Sequence, residues 1–168
     1  LGDDTWRKEP KSDGYNVDFE DTGGSLLNYA QYKVVKYLSG GTTEYLTGWV
    51  DIFTNLNQAN YTTDWDVDFS TLTEGVNHIW VQVFDNAGNP QTYLDTFYVK
   101  KDTTPPICMN NQTGDTTWRT TNDGFYNVDF NDSDSGSGVK EIQIKISTTS
   151  DGSGTPIVDW TTIITTNT

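Results

Sequence analysis

Five residues occur twice in this chain in the same order. Tyr15-Asn16-Val17-Asp18-Phe19 returns unchanged as Tyr126-Asn127-Val128-Asp129-Phe130. Around them, Thr5-Trp6-Arg7 is matched by Thr117-Trp118-Arg119, Asp13-Gly14 by Asp123-Gly124, and Trp49 with Ile52 by Trp160 with Ile163. The spacing stays between 110 and 112 residues. A period that long exceeds a solenoid unit and fits tandem globular modules. The 168 residues hold one module of about 100 residues and part of a second.

Inside the repeat, apolar and polar residues alternate with the period of two that marks half-buried strands. Over 78–84, Ile79, Val81 and Val83 fall on one face; His78, Trp80, Gln82 and Phe84 fall on the other. Asp85-Asn86-Ala87-Gly88-Asn89-Pro90 follows, built of turn-forming residues. A second strand over 91–99 points Phe97 and Val99 inward. Asp102-Thr103-Thr104-Pro105-Pro106 ends it, because proline lacks the N–H a ladder needs and restricts the residue before it. Further strands are predicted over 107–112, over 15–19 and 126–130, over 29–37 and 139–147, over 45–54 and 157–164, and over 65–69. In the last of these Trp65, Val67 and Phe69 face inward. Glycine-rich turns separate them, and no stretch carries a helical period. Seven short strands with regular turns predict an all-β fold of Ig-like or fibronectin-like β-sandwich modules in tandem.

Set against the period, residues 1–104 are expected to form a sandwich lacking its first strand, and 105–168 the first half of a second. Half a sandwich leaves an unpaired edge and an uncovered apolar face. The natural chain is therefore expected to continue at both ends, or a strand from another chain to fill the gaps.

The turn over 85–89, the strand after it and the linker over 102–106 together resemble the end of one Ig-like module and the link to the next in large bacterial and archaeal surface proteins of the adhesin type. The resemblance implies a β-sandwich repeat with an extracellular, non-enzymatic role. It names no ligand.

Charge narrows the partners. With 24 acids against 10 bases, nucleic acid and anionic membrane surfaces are poor partners. No apolar run approaches the length of a membrane span. Of the acids 19 are Asp and 5 Glu, a ratio that favours turns and hard-cation chelation over helices. The lone Cys108 excludes an internal disulfide. No organic cofactor is expected.

Two residue sets carry functional expectations. Asp85 in the hairpin turn and Asp102 in the linker, with Asp132 and Asp134 in the loop after 130, could gather as a calcium site at the module junction. The alternative is that each aspartate closes its own turn through local backbone. Trp80, Phe84 and Tyr98 face away from the core, as rings that stack on sugar faces or touch a neighbouring strand, loop or subunit. Trp6 and Trp118, each followed by arginine, are expected to cover a sandwich edge with the arginine stacked on the ring; Trp49 and Trp160 take the same reading. Catalysis has no constellation: His78 stands without a nucleophile, and Cys108 has no metal-ligand spacing. The expected function is a structural, adhesive module of an extracellular surface protein or filament, with neighbouring modules of the same or identical chains as partners. A carbohydrate-binding module for a surface glycan and a strand-exchanging filament subunit are the alternatives.

Overall fold

The alternation that is cleanest in the sequence forms the middle of the main sheet. The computed structural model describes residues 2–114, 116–121, 125–132 and 136–166. Two units divide it, Leu1–Thr103 and Thr104–Thr168. The first contains β1 (Asp3–Arg7), β2 (Phe19–Glu20), β3 (Leu27–Tyr37), β4 (Thr43–Tyr45), β5 (Val50–Phe53), β6 (Asn60–Tyr61), β7 (Gly75–Asp85) and β8 (Pro90–Lys101). Its large sheet runs β1-β8-β7-β3-β4, with β5 also on β3. All these pairings are antiparallel except β1 with β8, which is parallel.

The period-two pattern decides which side chains turn inward. Ile79 and Val81 of β7, Ala30, Tyr32 and Val34 of β3, and Phe97 and Val99 of β8 share one face. Opposite them lie Phe19 of β2 with Trp65, Val67 and Leu72. A small second layer holds that group: β2 pairs with β6, and Tyr15 bridges to Trp65. Aromatic contacts cross the interior. Tyr15 stacks on Phe97 with centroids 4.8 Å apart, and Tyr32 on Trp65 at 5.6 Å. Each fully buried aliphatic side chain contributes about 1.5–3 kcal/mol, so this shared interior is what makes the unit cohere.

One polar residue among those described is fully enclosed. Asn77 opens the inward series of β7, where an apolar residue would be expected. Its Oδ1 accepts from the Thr73 N–H at 3.0 Å, while its Nδ2 donates to the carbonyls of Thr73 at 2.7 Å and Gly75 at 3.1 Å. It closes the turn that launches β7.

The structure departs from the sequence reading at several places. The stretch over 65–69 is not a strand. Trp65 and Val67 are buried as expected, but Asp68 accepts from the Ser70 N–H and caps a 3₁₀ turn, Phe69–Thr71. A carboxylate two residues before a free amide competes with a ladder for that donor. The strand of that layer is the earlier β6. The single strand over 45–54 is two, β4 and β5. The segment at 3–7, read only as an edge-covering tryptophan, is the strand β1.

The second unit contains β9 (Ile107–Asn110), β10 (Val128–Asn131), β11 (Glu141–Ser147) and β12 (Pro156–Thr165). They form two separate antiparallel pairs, β9 with β10 and β11 with β12. Ile142 is its one buried hydrophobic among the described residues. Phe130, Ile144, Ile146, Ile157, Trp160 and Ile163 are exposed. The chain is thus all-β. No α-helix occurs among the described residues, and so none long and apolar enough to cross a membrane.

Candidate functional site

The outer face of the main sheet carries the richest chemistry. Pleating sends His78, Trp80, Gln82 and Phe84 of β7 outward. Register sets them opposite Val35, Lys33, Gln31 and Tyr29 of β3. Tyr98 follows on β8, opposite His78. The three rings expected to face away from the core therefore do share one face, and each is half-buried.

Neighbouring side chains explain the half-burial. Phe84 stacks on Tyr29 with centroids 4.4 Å apart and planes 14° from parallel. The Trp80 indole N–H donates to the Tyr37 hydroxyl at 3.1 Å, and its ring meets Tyr45 edge-on at 5.8 Å. Tyr37 lies against His78 at 4.5 Å. Beneath them Val35, an outward residue by register, is 0 % exposed. The rings thus form a second, shallow apolar layer on the outer side of the sheet, with Tyr45, 59 % exposed, at its rim. The Lys33 ammonium sits 5.1 Å from the Tyr45 ring and 4.5 Å from Trp49. Gln82 Nε2 donates to Gln31 Oε1, and Gln31 Nε2 to Asp51 Oδ1, both at 2.7 Å. Aromatic planes beside a chain of amides and a carboxylate can take a ligand that presents both apolar faces and hydroxyls.

Tyr98 is tied to β1. Its hydroxyl donates to Asp4 Oδ1 at 2.6 Å, and the Lys100 ammonium reaches the same oxygen at 2.9 Å. The Tyr98 and Lys100 bonds hold the Asp4 carboxyl below its ordinary range, and the same contacts push Tyr98 and Lys100 up. Lys100, not the adjacent arginine, lies over the Trp6 ring, at 5.7 Å. Arg7 instead bonds Asp3 at 2.5 Å. The stacked arginine expected at Trp6 is therefore replaced by a lysine from the next strand. Trp118 is 100 % exposed; among the described residues its unit has no counterpart of β8 to seat it.

The aspartates do different things. Asp85 Oδ1 accepts from the Asn89 N–H at 2.8 Å, and Oδ2 from Asn89 Nδ2 at 2.7 Å. These bonds bring its carboxyl down to about 2, so it closes its own hairpin. Asp102 follows β8, and its N–H donates to the Arg7 carbonyl at 2.9 Å. Asp132 Oδ2 accepts from the Gly138 N–H at 2.5 Å, while Oδ1 is buried without a hydrogen-bond partner among the described residues. Asp134 lies outside the described residues. Among those described, no group of three or more His, Cys, Asp or Glu is placed to hold a metal.

Sequence reasoning missed Tyr37, Tyr45 and the Gln31–Gln82–Asp51 chain. Tyr37 and Gln31 fall on the outward phase of β3, a signal available in the alternation. Tyr45 reaches the face through β4, which no local pattern announces. No family model, curated protein or solved structure matches the chain.

Proposed function

We propose that the chain is a structural, adhesive stretch of an extracellular surface protein or filament, made of Ig-like β-sandwich modules in series and without catalysis. One observation carries the reading: the terminal strands of the first unit pair in parallel. β1 opens the unit and β8 closes it, with Asp3 opposite Val99 and Arg7 opposite Lys101. Tension on the two chain ends then drags these strands past each other, so their bonds are strained together rather than unzipped singly. Trp6, Lys100, Asp4 and Tyr98 brace the same seam. The Pro105-Pro106 link, extended by its fixed backbone angles, passes tension onward.

Pulling single molecules by their ends tests this. The first unit, Leu1–Thr103, should resist and then yield in one step of roughly 300–350 Å, the reach of about 340–370 Å for that many extended residues less the folded separation of its ends. Smooth extension without a step would contradict the proposal.

A second reading is supported by the outer aromatic face: adhesion to a neutral surface glycan. The net charge of −14 disfavours polyanionic sugars. On a glycan array, binding should fall at least tenfold with Trp80→Ala or Tyr45→Ala. Unchanged binding by both variants, or none by the parent chain, removes this reading.

A further inference from the structure

The two copies of Tyr-Asn-Val-Asp-Phe use opposite backbone edges; in the first only Phe19–Glu20 is strand and Tyr15 makes an isolated antiparallel bridge to Trp65, but all its pairings keep one register. In the first copy the Tyr15 N–H donates to the Trp65 carbonyl at 2.8 Å and the Asp21 N–H to the Ala59 carbonyl at 2.8 Å, with Phe19 opposite Tyr61 between them. Backbone groups of successive residues in a strand point to opposite edges. Those of Tyr15, Phe19 and Asp21 point toward the segment over 59–65 that contains β6, so those of Asn16, Asp18 and Glu20 point away from it. Among the described residues no hydrogen bond reaches the backbone N–H or C=O of Asn16 or Asp18.

In the second copy that other edge is the occupied one. The Asn111 N–H donates to the Asn127 carbonyl at 3.1 Å, and Met109 and Ile107 stand opposite Asp129 and Asn131. Asn127, Asp129 and Asn131 are the counterparts of Asn16, Asp18 and Glu20. Beside the free edge of the first copy lies an open cleft of about 300 Å³, lined by Tyr15, Asn16, Val17, Thr96 and Phe97 among others.

We infer that the edge at residues 16–20 is a strand-acceptor site whose occupant is the Ile107–Asn110 strand of a second copy of this chain. The strand adds antiparallel, with Met109 opposite Asp18 and Ile107 opposite Glu20. Its fit is already on display, because in its own unit β9 pairs with Val128, Asp129 and Phe130 of the same pentapeptide, and with Asn131 where the first copy has Glu20. There it is held by four residue pairs, and all four of its residues are exposed, so little contact is lost when it leaves. The inference rests on the serial-module reading and supplies the contact by which copies join.

A peptide of residues 104–112, added under reducing conditions to the full chain, is the probe. It should bind saturably and shift the backbone amide resonances of Asn16, Asp18 and Glu20. Methylating the Met109 nitrogen, which faces the acceptor, should weaken binding at least tenfold. Methylating the Cys108 nitrogen, which faces away, should change it less than about twofold. The mass of the full chain by sedimentation should rise with concentration, and excess peptide should return it to the monomer. No binding, shifts at Asp129 and Asn131 alone, equal loss with both methylations, or a mass that never rises would each overturn the inference. None of these would alter the force response of the first unit, which tests the serial-module reading separately.

Discussion

Asn77 shows how much one buried side chain can organise. Replacing it with leucine leaves the Thr73 N–H and the Thr73 and Gly75 carbonyls without their partner inside the unit. Each stranded group costs about 1–3 kcal/mol, so Asn77→Leu should destabilise the first unit by roughly 3 kcal/mol or more in urea unfolding. Ile79→Val, which trims the same inward face without stranding a polar group, should cost about 1 kcal/mol. If the two variants are alike, Asn77 is only filling space. Asp85 makes a pH-dependent counterpart. Its folded carboxyl is lowered to about 2 from an ordinary 3.8, because Asn89 donates to it through side chain and backbone. A depressed carboxyl stabilises the fold above its unfolded value, and that stabilisation fades as pH falls through the folded one. Melting of the first unit should therefore drop between pH 3.8 and about 2, and Asp85→Ala should flatten that limb. An acid limb unchanged by the substitution would place the loss elsewhere.

Among the elements, those with internal alternation were legible and those fixed by a remote partner were not. β7, β8 and β3 announce themselves because Ile79, Val81, Phe97, Val99, Tyr32 and Val34 fall on one face by period alone. β1 does not: Asp3-Asp4-Thr5-Trp6-Arg7 has no apolar alternation, and it is a strand because β8 offers a free edge and Lys100 and Tyr98 reach Asp4 and Trp6. Near Trp65 the inward residues were readable, but the capping of Asp68 onto Ser70 overrides extended structure there. The outer face was half legible. Trp80, Phe84 and Tyr98 follow from pleating, whereas Tyr45 depends on how β4 returns alongside β3. The seam between β1 and β8 gives this scale its own prediction. Trp6→Ala should lower the yield force of the first unit in a pulling experiment, and Asp4→Asn should lower it less. A force indifferent to both would mean that the parallel seam does not bear the tension.

At the scale of the whole molecule, the proposed serial modules make the two units complementary parts of one design. The first pairs its repeated strand with a later strand, β6; the second pairs the same sequence with an earlier one, β9. On that proposal the two pairs, β2 with β6 and β9 with β10, are two halves of a three-stranded layer with the pentapeptide in the middle. That also explains the unequal burial of twin residues. Phe19 is enclosed by Phe53, Trp65 and the main sheet, while Phe130 stays exposed because its unit supplies no such cover among the described residues. Hydrogen exchange at the backbone amides of the two pentapeptides tests this most directly, since identical residues must protect opposite phases. At concentrations where the chain is monomeric, Tyr15 and Phe19 should exchange slowly and Asn16 and Asp18 fast, while Asp129 should exchange slowly and Val128 and Phe130 fast. The same phase protected in both copies would contradict a shared strand seen from its two edges.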